Sequence, residues 1–165
     1  MSIDDKDYYI LVKDILDNKT FKMIGDIEHH GISRLDHSIK VSYNSYKIAK
    51  MLGLDYKDAA RGGLLHDFFL SKKDRTQLER FLSTFTHPKI AVKNSINEFN
   101  VNKKQQDMIK SHMFPINLTV PKYAESWIVN LVDKAVGSFE FGVKFKYHIS
   151  CIVNIYVVIL LNLIK

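Results

Sequence analysis

The chain contains few of the residues that interrupt or cross-link a fold. Its 165 residues include three prolines, seven glycines and a single cysteine, Cys151. One cysteine excludes an internal disulfide, and we expect it to pack rather than react, in a reducing compartment. Because long stretches run without a helix-breaking residue, the composition predicts a mostly helical fold. A hydrophobic fraction of 46% excludes a disordered or fibrous chain.

The sequence also has no apolar signal core and no block of like charges. Its charged first residues, 1–7, predict a cytoplasmic location. The formal net charge of +6 favours an anionic partner. Because the basic residues are spread along the chain and form no recognisable nucleic-acid-binding motif, we expect a small anionic substrate and no extended nucleic acid.

The C-terminal tail, 149–164, is strongly apolar and rich in β-branched residues. It is interrupted by one serine and two asparagines and is shorter than the roughly twenty residues that a membrane-spanning helix needs. We therefore expect 141–165 to form a buried closing segment and no membrane anchor. With no repeat, low-complexity tract or linker, residues 1–165 are interpreted as a single domain of undetermined oligomeric state.

Apolar residues recur at helical intervals along most of the chain. The pattern predicts helices over approximately 7–17, 21–29, 37–52, 56–67, 88–99, 103–112 and 123–139. The segment Asn18-Lys19-Thr20 is expected to supply a turn and an N-cap, Asp55 to cap a helix, and Gly53 to end one. Pro88 is interpreted as the first residue of its helix, with His87 extended before it. Small residues between 59 and 63 favour close contact with another helix. Loops are predicted over 71–75 and 113–121, with a short helix as the alternative for 71–75.

Histidine and aspartate recur where these helices point inward, begin or end. Taken alone, each would be interpreted as a satisfied core residue, but four of the seven histidines and two aspartates lie about 20 to 30 residues apart. Successive helices of a bundle can then each deliver a ligand to one centre. Imidazole and carboxylate without thiolate suit iron, manganese or zinc, with magnesium as a further candidate. Six ligands exceed the needs of one structural zinc, and a carboxylate can bridge two ions, so one or two ions are expected.

The candidate ligands are His37, the adjacent His66 and Asp67, His87, His112 and Asp133. In identity and order they resemble those of the HD-domain superfamily of metal-dependent phosphohydrolases. The resemblance covers about residues 30–140, which we take as the metal-binding core. Its motifs are Asp36-His37-Ser38, Arg61-Gly62-Gly63-Leu64-Leu65-His66-Asp67 and Leu131-Val132-Asp133-Lys134. The resemblance implies an all-α, single-domain helical bundle. It also implies a core metal site of His37, His66, Asp67 and Asp133, with Asp67 bridging to a second ion held by His87 and His112.

The resemblance further implies hydrolysis of phosphate esters, in a nucleotide or another small phosphorylated metabolite, by a metal-activated water, with Asp67 essential. One position departs from the pattern, because relatives often have a lysine where this chain has Leu70. Another basic residue must then contact phosphate, and Arg61, Lys73 and Lys134 are preferred because they lie near proposed ligands. Further candidates are Arg34, Lys72, Arg75 and Lys122.

Two other functions remain open for the same ligand set. Some HD-domain relatives use two irons to activate oxygen for oxidative cleavage. The presence of Leu70 in place of the usual lysine strengthens this alternative. The chain could also be a non-catalytic module that binds a nucleotide or transmits a signal. Substrate identity depends on loop geometry that the sequence does not give.

Overall fold

Helices account for nearly all regular structure in the computed structural model, which describes residues 5–26, 28–29, 32–70 and 76–142. The helices are α1 (Lys6–Asp17), α2 (Lys19–Lys22), α3 (Arg34–Met51), α4 (Tyr56–Leu65), α5 (Gln77–Glu98), α6 (Lys103–Ser111) and α7 (124–142). A 3-10 turn (Met23–Asp26) follows α2, and the two-residue strands β1 (Glu28–His29) and β2 (Ile32–Ser33) pair antiparallel before α3. The predicted all-α fold is confirmed.

Short polar side chains begin several of these helices. Asp55 accepts a hydrogen bond from a backbone N–H at the start of α4, as the sequence predicted. Within the predicted turn 18–20, Asn18 is the residue that does the same for α2. Gly53, which follows α3, has a φ of +68°, a conformation that glycine adopts without steric cost. These local signals correctly predicted the turns between α1 and α2 and between α3 and α4.

The predicted helix over 21–29 is wrong beyond residue 26. Regular α-helix ends at Lys22, and a 3-10 turn then leads into the short hairpin. Phe21 and Ile24 are fully buried in the core, so tertiary packing decides the path of this segment. Gly25 weakens helical propensity in its middle, and the hairpin brings the chain to Ser33, which caps α3.

The predicted helix start at Pro88 is also wrong. Helix α5 begins eleven residues earlier, at Gln77, and continues through Pro88 to Glu98. Thr76 and Glu79 form a capping box: Glu79 N donates to Thr76 Oγ1 at 3.2 Å, and Thr76 N donates to Glu79 Oε2 at 2.7 Å. His87 is therefore a helical residue in the middle of α5, and Pro88 removes one internal hydrogen bond without ending the helix.

Helix α4 contributes to both apolar clusters of the core. Its Leu64 and Leu65 pack with residues of α1 and α2, and its Ala59 packs with residues of α3, α6 and α7. A Cβ at Gly63 would lie 3.0 Å from the backbone Cα of Ser42 in α3, so the predicted small-residue contact is confirmed. The carboxyl end of α4, where the His-Asp pair follows, consequently lies inside the bundle.

Two predicted segments fall wholly or largely on residues that the structure does not describe. The predicted loop at 71–75, and the closing segment apart from residues 141–142, lie outside the described residues. Within the described ranges, no helix combines the length and the hydropathy that a membrane-crossing segment needs.

Candidate metal centre

Five helices bring all six candidate metal ligands to one place inside the bundle. Helix α3 carries His37, α5 carries His87 and α7 carries Asp133, whereas His66–Asp67 and His112 directly follow the last residues of α4 and α6. The four imidazoles are buried, His66 completely, and both carboxylates are largely buried. The clustering that the sequence spacing predicted is therefore present in the structure.

The first group of ligand atoms joins α3, α4 and α7. Asp133 Oδ1 lies 3.0 Å from His37 Nε2 and 3.5 Å from His66 Nε2. Within this group one ligand atom from each residue lies within 4.8 Å of the others. The spacing matches a site in which two imidazoles and one carboxylate bind the same ion.

The second group is arranged around Asp67. Its Oδ1 lies 3.3 Å from His87 Nε2 and 3.6 Å from His112 Nε2, whereas its Oδ2 lies 3.9 Å from His66 Nε2. One carboxylate oxygen thus faces the His87–His112 pair and the other faces the first group. A carboxylate in this position has the geometry to bridge two ions.

Backbone carbonyls fix the tautomer of three of the four imidazoles. The Nδ1 atoms of His66, His87 and His112 lie 2.7 to 2.8 Å from the carbonyl oxygens of residues 63, 83 and 109. A carbonyl oxygen only accepts, so each Nδ1 must carry the proton and donate it. In the neutral ring Nε2 then carries a lone pair, and all three Nε2 atoms point into the centre.

The Nε2 atoms of His87 and His112 lie only 3.0 Å apart. Because each neutral ring already holds its proton on Nδ1, two lone pairs face one another there, beside an oxygen of Asp67. His66 Nε2 is also buried, without a hydrogen-bond partner in the described protein. Such a set of converging acceptors is unfavourable alone and is stabilised by a cation, so these residues fit a divalent metal.

Two buried carboxylates create a demand for positive charge at the centre. Burial alone would raise the pKa values of Asp67 and Asp133, but neighbouring histidines hold both below the usual range. Burial also opposes protonation of His66, yet the two carboxylates raise its pKa to about 9. Burial, with His66 nearby, lowers the pKa of His112 to about 3. Without an ion, His66 is thus protonated near neutral pH and balances the two carboxylates, and it must release that proton to bind a metal. The ionised carboxylates and the neutral His112 imidazole are already in the forms that bind metal.

Side chains behind the ligands hold them in place. Arg34 donates to the carbonyl oxygen of Phe69 at 2.6 Å, and its guanidinium lies 3.9 Å from the centre of the Phe69 ring. That ring stacks on the His87 imidazole at 4.9 Å. Arg34, a candidate phosphate contact from the sequence, therefore braces His87 through Phe69.

The C-terminal end of α6 is held by α7. Asn130 Nδ2 lies 3.3, 2.6 and 2.8 Å from the carbonyl oxygens of Ser111, His112 and Phe114. Lys134 Nζ also donates to the carbonyl of His112, at 2.9 Å, and burial lowers the pKa of this lysine. The ammonium of Lys134 is thus engaged behind the ligand.

The remaining candidates for phosphate contact lie elsewhere. The guanidinium of Arg61 donates to both carboxylate oxygens of Asp14, at 2.7 and 2.8 Å, and to the carbonyl of Leu11. Arg61 therefore joins α4 to α1, and we leave it out of the proposed phosphate-binding set. Lys122 is exposed, and its backbone N–H donates to Asp107. Lys72, Lys73 and Arg75 lie outside the described residues.

Sequence reasoning missed two buried residues of α7, Asn130 and Glu140. Glu140 Oε2 lies 2.9 Å from His37 Nδ1, and its Oε1 accepts a hydrogen bond from Lys40 at 2.9 Å. The missed signal is spacing, because Glu140 follows Asp133 by seven residues, which is two helical turns on one face. Asn130 precedes Asp133 by three and shares that face.

Comparison with known proteins gives one match. The sequence model of the family described as HD domain matches residues 34–136, which is more than half of the chain. No curated protein sequence and no solved structure matches the chain significantly. The matched region begins at the first residue of α3 and includes all six candidate ligands.

Proposed function

Because the chain belongs to the HD-domain family, whose members are mostly metal-dependent hydrolases, we propose that it hydrolyses phosphate esters of a nucleotide or another small phosphorylated metabolite. The observation that carries the proposal is the 3.0 Å approach of His87 Nε2 and His112 Nε2 beside Asp67. That arrangement favours a second cation in addition to the one that the His37, His66 and Asp133 group favours.

The proposed ligands divide into two sets that share one carboxylate. His37, His66 and Asp133 would hold the first ion together with Asp67, and His87 and His112 would hold the second together with the same Asp67. When bound, divalent ions supply a water of lowered pKa and polarise phosphoryl oxygens. The carbonyl-bound Nδ1–H groups orient the imidazoles before any ion binds, which reduces the cost of organising the centre.

A basic side chain is still needed to bind the phosphate. Lys134 and Arg61 have engaged head groups, the first against a carbonyl and the second against Asp14. We therefore propose Lys73, among the three basic residues of 71–75, as the phosphate contact. Its substitution by methionine is expected to raise KM for a phosphoester without changing the bound metal.

Substitution of Asp67 tests the proposed reaction. Asp67→Ala removes the carboxylate shared by the two ligand sets, so we expect loss of bound metal and of phosphate release from a panel of nucleotides and phosphorylated metabolites. The matched control is Asp17→Ala, because Asp17 is exposed and pairs with Lys13 one turn away in α1. An Asp67→Ala protein with wild-type turnover would refute the assignment.

Oxygen activation by two irons is the second candidate function, and Leu70 favours it because the lysine common among relatives is missing at that position. Protein purified without oxygen distinguishes the two. Phosphate release that depends on manganese or zinc supports the hydrolase, whereas two irons with substrate-dependent oxygen uptake support the oxygenase. Nucleotide binding without turnover by the metal-loaded protein would favour a non-catalytic module.

A further inference from the structure

We propose that Glu140 is a positioning residue for the first metal-binding group, holding the His37 imidazole so that its Nε2 remains available to an ion. The inference rests on the proposed metal centre and deepens it. Glu140 is buried, with about 2% of its surface exposed, and its Oε2 lies 2.9 Å from His37 Nδ1. Burial of a carboxylate is costly unless hydrogen bonds or a positive charge compensate for the lost hydration.

The His37 ring lies between two carboxylates of the same helix. Asp133 Oδ1 is 3.0 Å from Nε2 on one side, and Glu140 Oε2 is 2.9 Å from Nδ1 on the other. The two acids are seven residues apart on α7, so two helical turns place them on one face. Helix α7 therefore supplies both the proposed ligand Asp133 and the Glu140 carboxylate that lies behind the proposed ligand His37.

A neutral imidazole carries one proton, and these two carboxylates compete for it. When Nδ1 donates its proton to Glu140, the Nε2 lone pair is directed at the first group. If the proton moved to Nε2, Asp133 would accept it, and His37 could no longer bind an ion. Glu140 thus favours the tautomer that binds metal.

Lys40 orients the Glu140 carboxylate. Its Nζ donates to Oε1 at 2.9 Å, which leaves Oε2 facing His37. Lys40 is about one-third exposed, so it supplies a compensating charge at low desolvation cost. Together the two side chains and the imidazole form a hydrogen-bonded row from the surface of α3 to the centre.

His37 differs from the other three proposed histidine ligands in its outer partner. Those three donate Nδ1–H to neutral backbone carbonyls, whereas His37 faces a carboxylate. A carboxylate partner makes the imidazole a stronger donor to a metal, in addition to fixing its orientation. The effect of Glu140 should therefore be confined to the ion that His37 binds.

The test compares Glu140→Gln with Glu98→Gln in the full chain. Glu98 is exposed at the end of α5, so its substitution removes the same charge away from the centre. Binding of Zn²⁺ is measured by competition with a chelator of known affinity. We expect Glu140→Gln to lower the affinity for one of the two ions by about 10- to 100-fold and to leave the affinity for the other unchanged. Glu98→Gln should match the wild type.

Stability in excess chelator separates positioning from a general structural role. A loss of affinity for both ions in proportion to a loss of metal-free stability would overturn the inference, as would wild-type affinity for both ions in Glu140→Gln. If Glu140→Gln does not fold, Lys40→Met serves instead. We expect it to lower the affinity for the same ion by a smaller factor, and an unchanged affinity would overturn the inference. A wild-type chain that binds no Zn²⁺ would instead refute the proposed centre itself.

Discussion

Single residues decide the chemistry of the centre through the position of one proton on each imidazole. In His66, His87 and His112 that proton is bonded to a carbonyl one turn earlier in the chain. The hydrogen bond that fixes each tautomer is therefore local to its helix, and distant side chains such as Phe69 beside His87 add to it. The tertiary fold is needed to bring the Nε2 atoms of these three rings close together in the centre.

Loss of His112 is expected to remove one ion and retain the other. His112→Asn deletes a lone pair that faces Asp67 and His87, whereas the group of His37, His66 and Asp133 does not include residue 112. Elemental analysis of the dialysed variant should therefore give one ion per chain against two in the wild type. Equal metal content in the two proteins would exclude His112 as a ligand.

Loss of Asn130 is expected to destabilise the end of α6. Asn130→Ala removes this donor from the buried carbonyls of residues 111 and 112 and from the partly buried carbonyl of residue 114, at a cost of about 1–3 kcal/mol in free energy of unfolding. Urea denaturation in chelator measures the loss without a contribution from bound metal. The exposed Asn97→Ala is the control and should stay within about 0.5 kcal/mol of the wild type.

At the scale of elements, the close approach of α3 and α4 places the His-Asp pair. Gly63 lies against the backbone of Ser42, and its carbonyl accepts the Nδ1–H of His66. The same residue thus sets the distance between the helices and the orientation of a proposed ligand. Its substitution should affect both stability and metal binding.

Alanine at two glycines should have opposite effects on stability. Gly63→Ala forces the backbones of α3 and α4 apart, and we expect a loss of about 1–3 kcal/mol in free energy of unfolding. A Cβ at Gly137 in α7 would meet nothing within 4 Å, so Gly137→Ala should stabilise by about 0.5–1 kcal/mol through helix propensity. Urea denaturation of both variants measures the difference, and equal effects would contradict the packing described.

The sequence predicted elements where a local signal determines the structure. The turn and cap within 18–20, the cap at Asp55 and the stop at Gly53 were found because each acts within a few residues. The start of α5 was misplaced because Pro88 was interpreted as a first helical residue and the capping box at Thr76 and Glu79 was not recognised. The box satisfies backbone donors at the true N-terminus, whereas an interior proline only removes one bond.

The clustering of the six candidate ligands was predicted better than the residues around them. Six ligands could be chosen because their types are few and their spacing repeats with the helices. Arg61 could not be excluded from the sequence, because its ion pair with Asp14 is 47 residues distant and depends on how α1 packs. Glu140 was overlooked since an acid near the end of an amphipathic helix is ordinarily a solvated surface group.

At the scale of the whole molecule, the centre joins helices from both apolar clusters. Its ligands come from five helices, so a bound ion links segments that are distant in the chain. The acceptors that face one another would be stabilised only in the folded protein, which couples metal binding to folding. We propose that the chain folds as one domain around this centre.

Removal of metal is therefore expected to lower global stability. At a free ion concentration of 100 times the dissociation constant, one bound ion stabilises the folded state by about 2.7 kcal/mol. Urea denaturation with the ion and with excess chelator should differ by at least this amount in the wild type. Asp67→Ala should unfold at the same urea concentration in both conditions, and a wild type indifferent to chelator would contradict the coupling.

The binuclear centre is tested most directly by counting the divalent ions that the wild-type chain binds. Protein purified without oxygen is dialysed against manganese, iron or zinc, and metal is measured against chain concentration. We expect two ions per chain in the wild type, with the second lost when His112 is replaced. A wild-type chain that retains no ion, or two ions that persist without His112, would contradict this expectation.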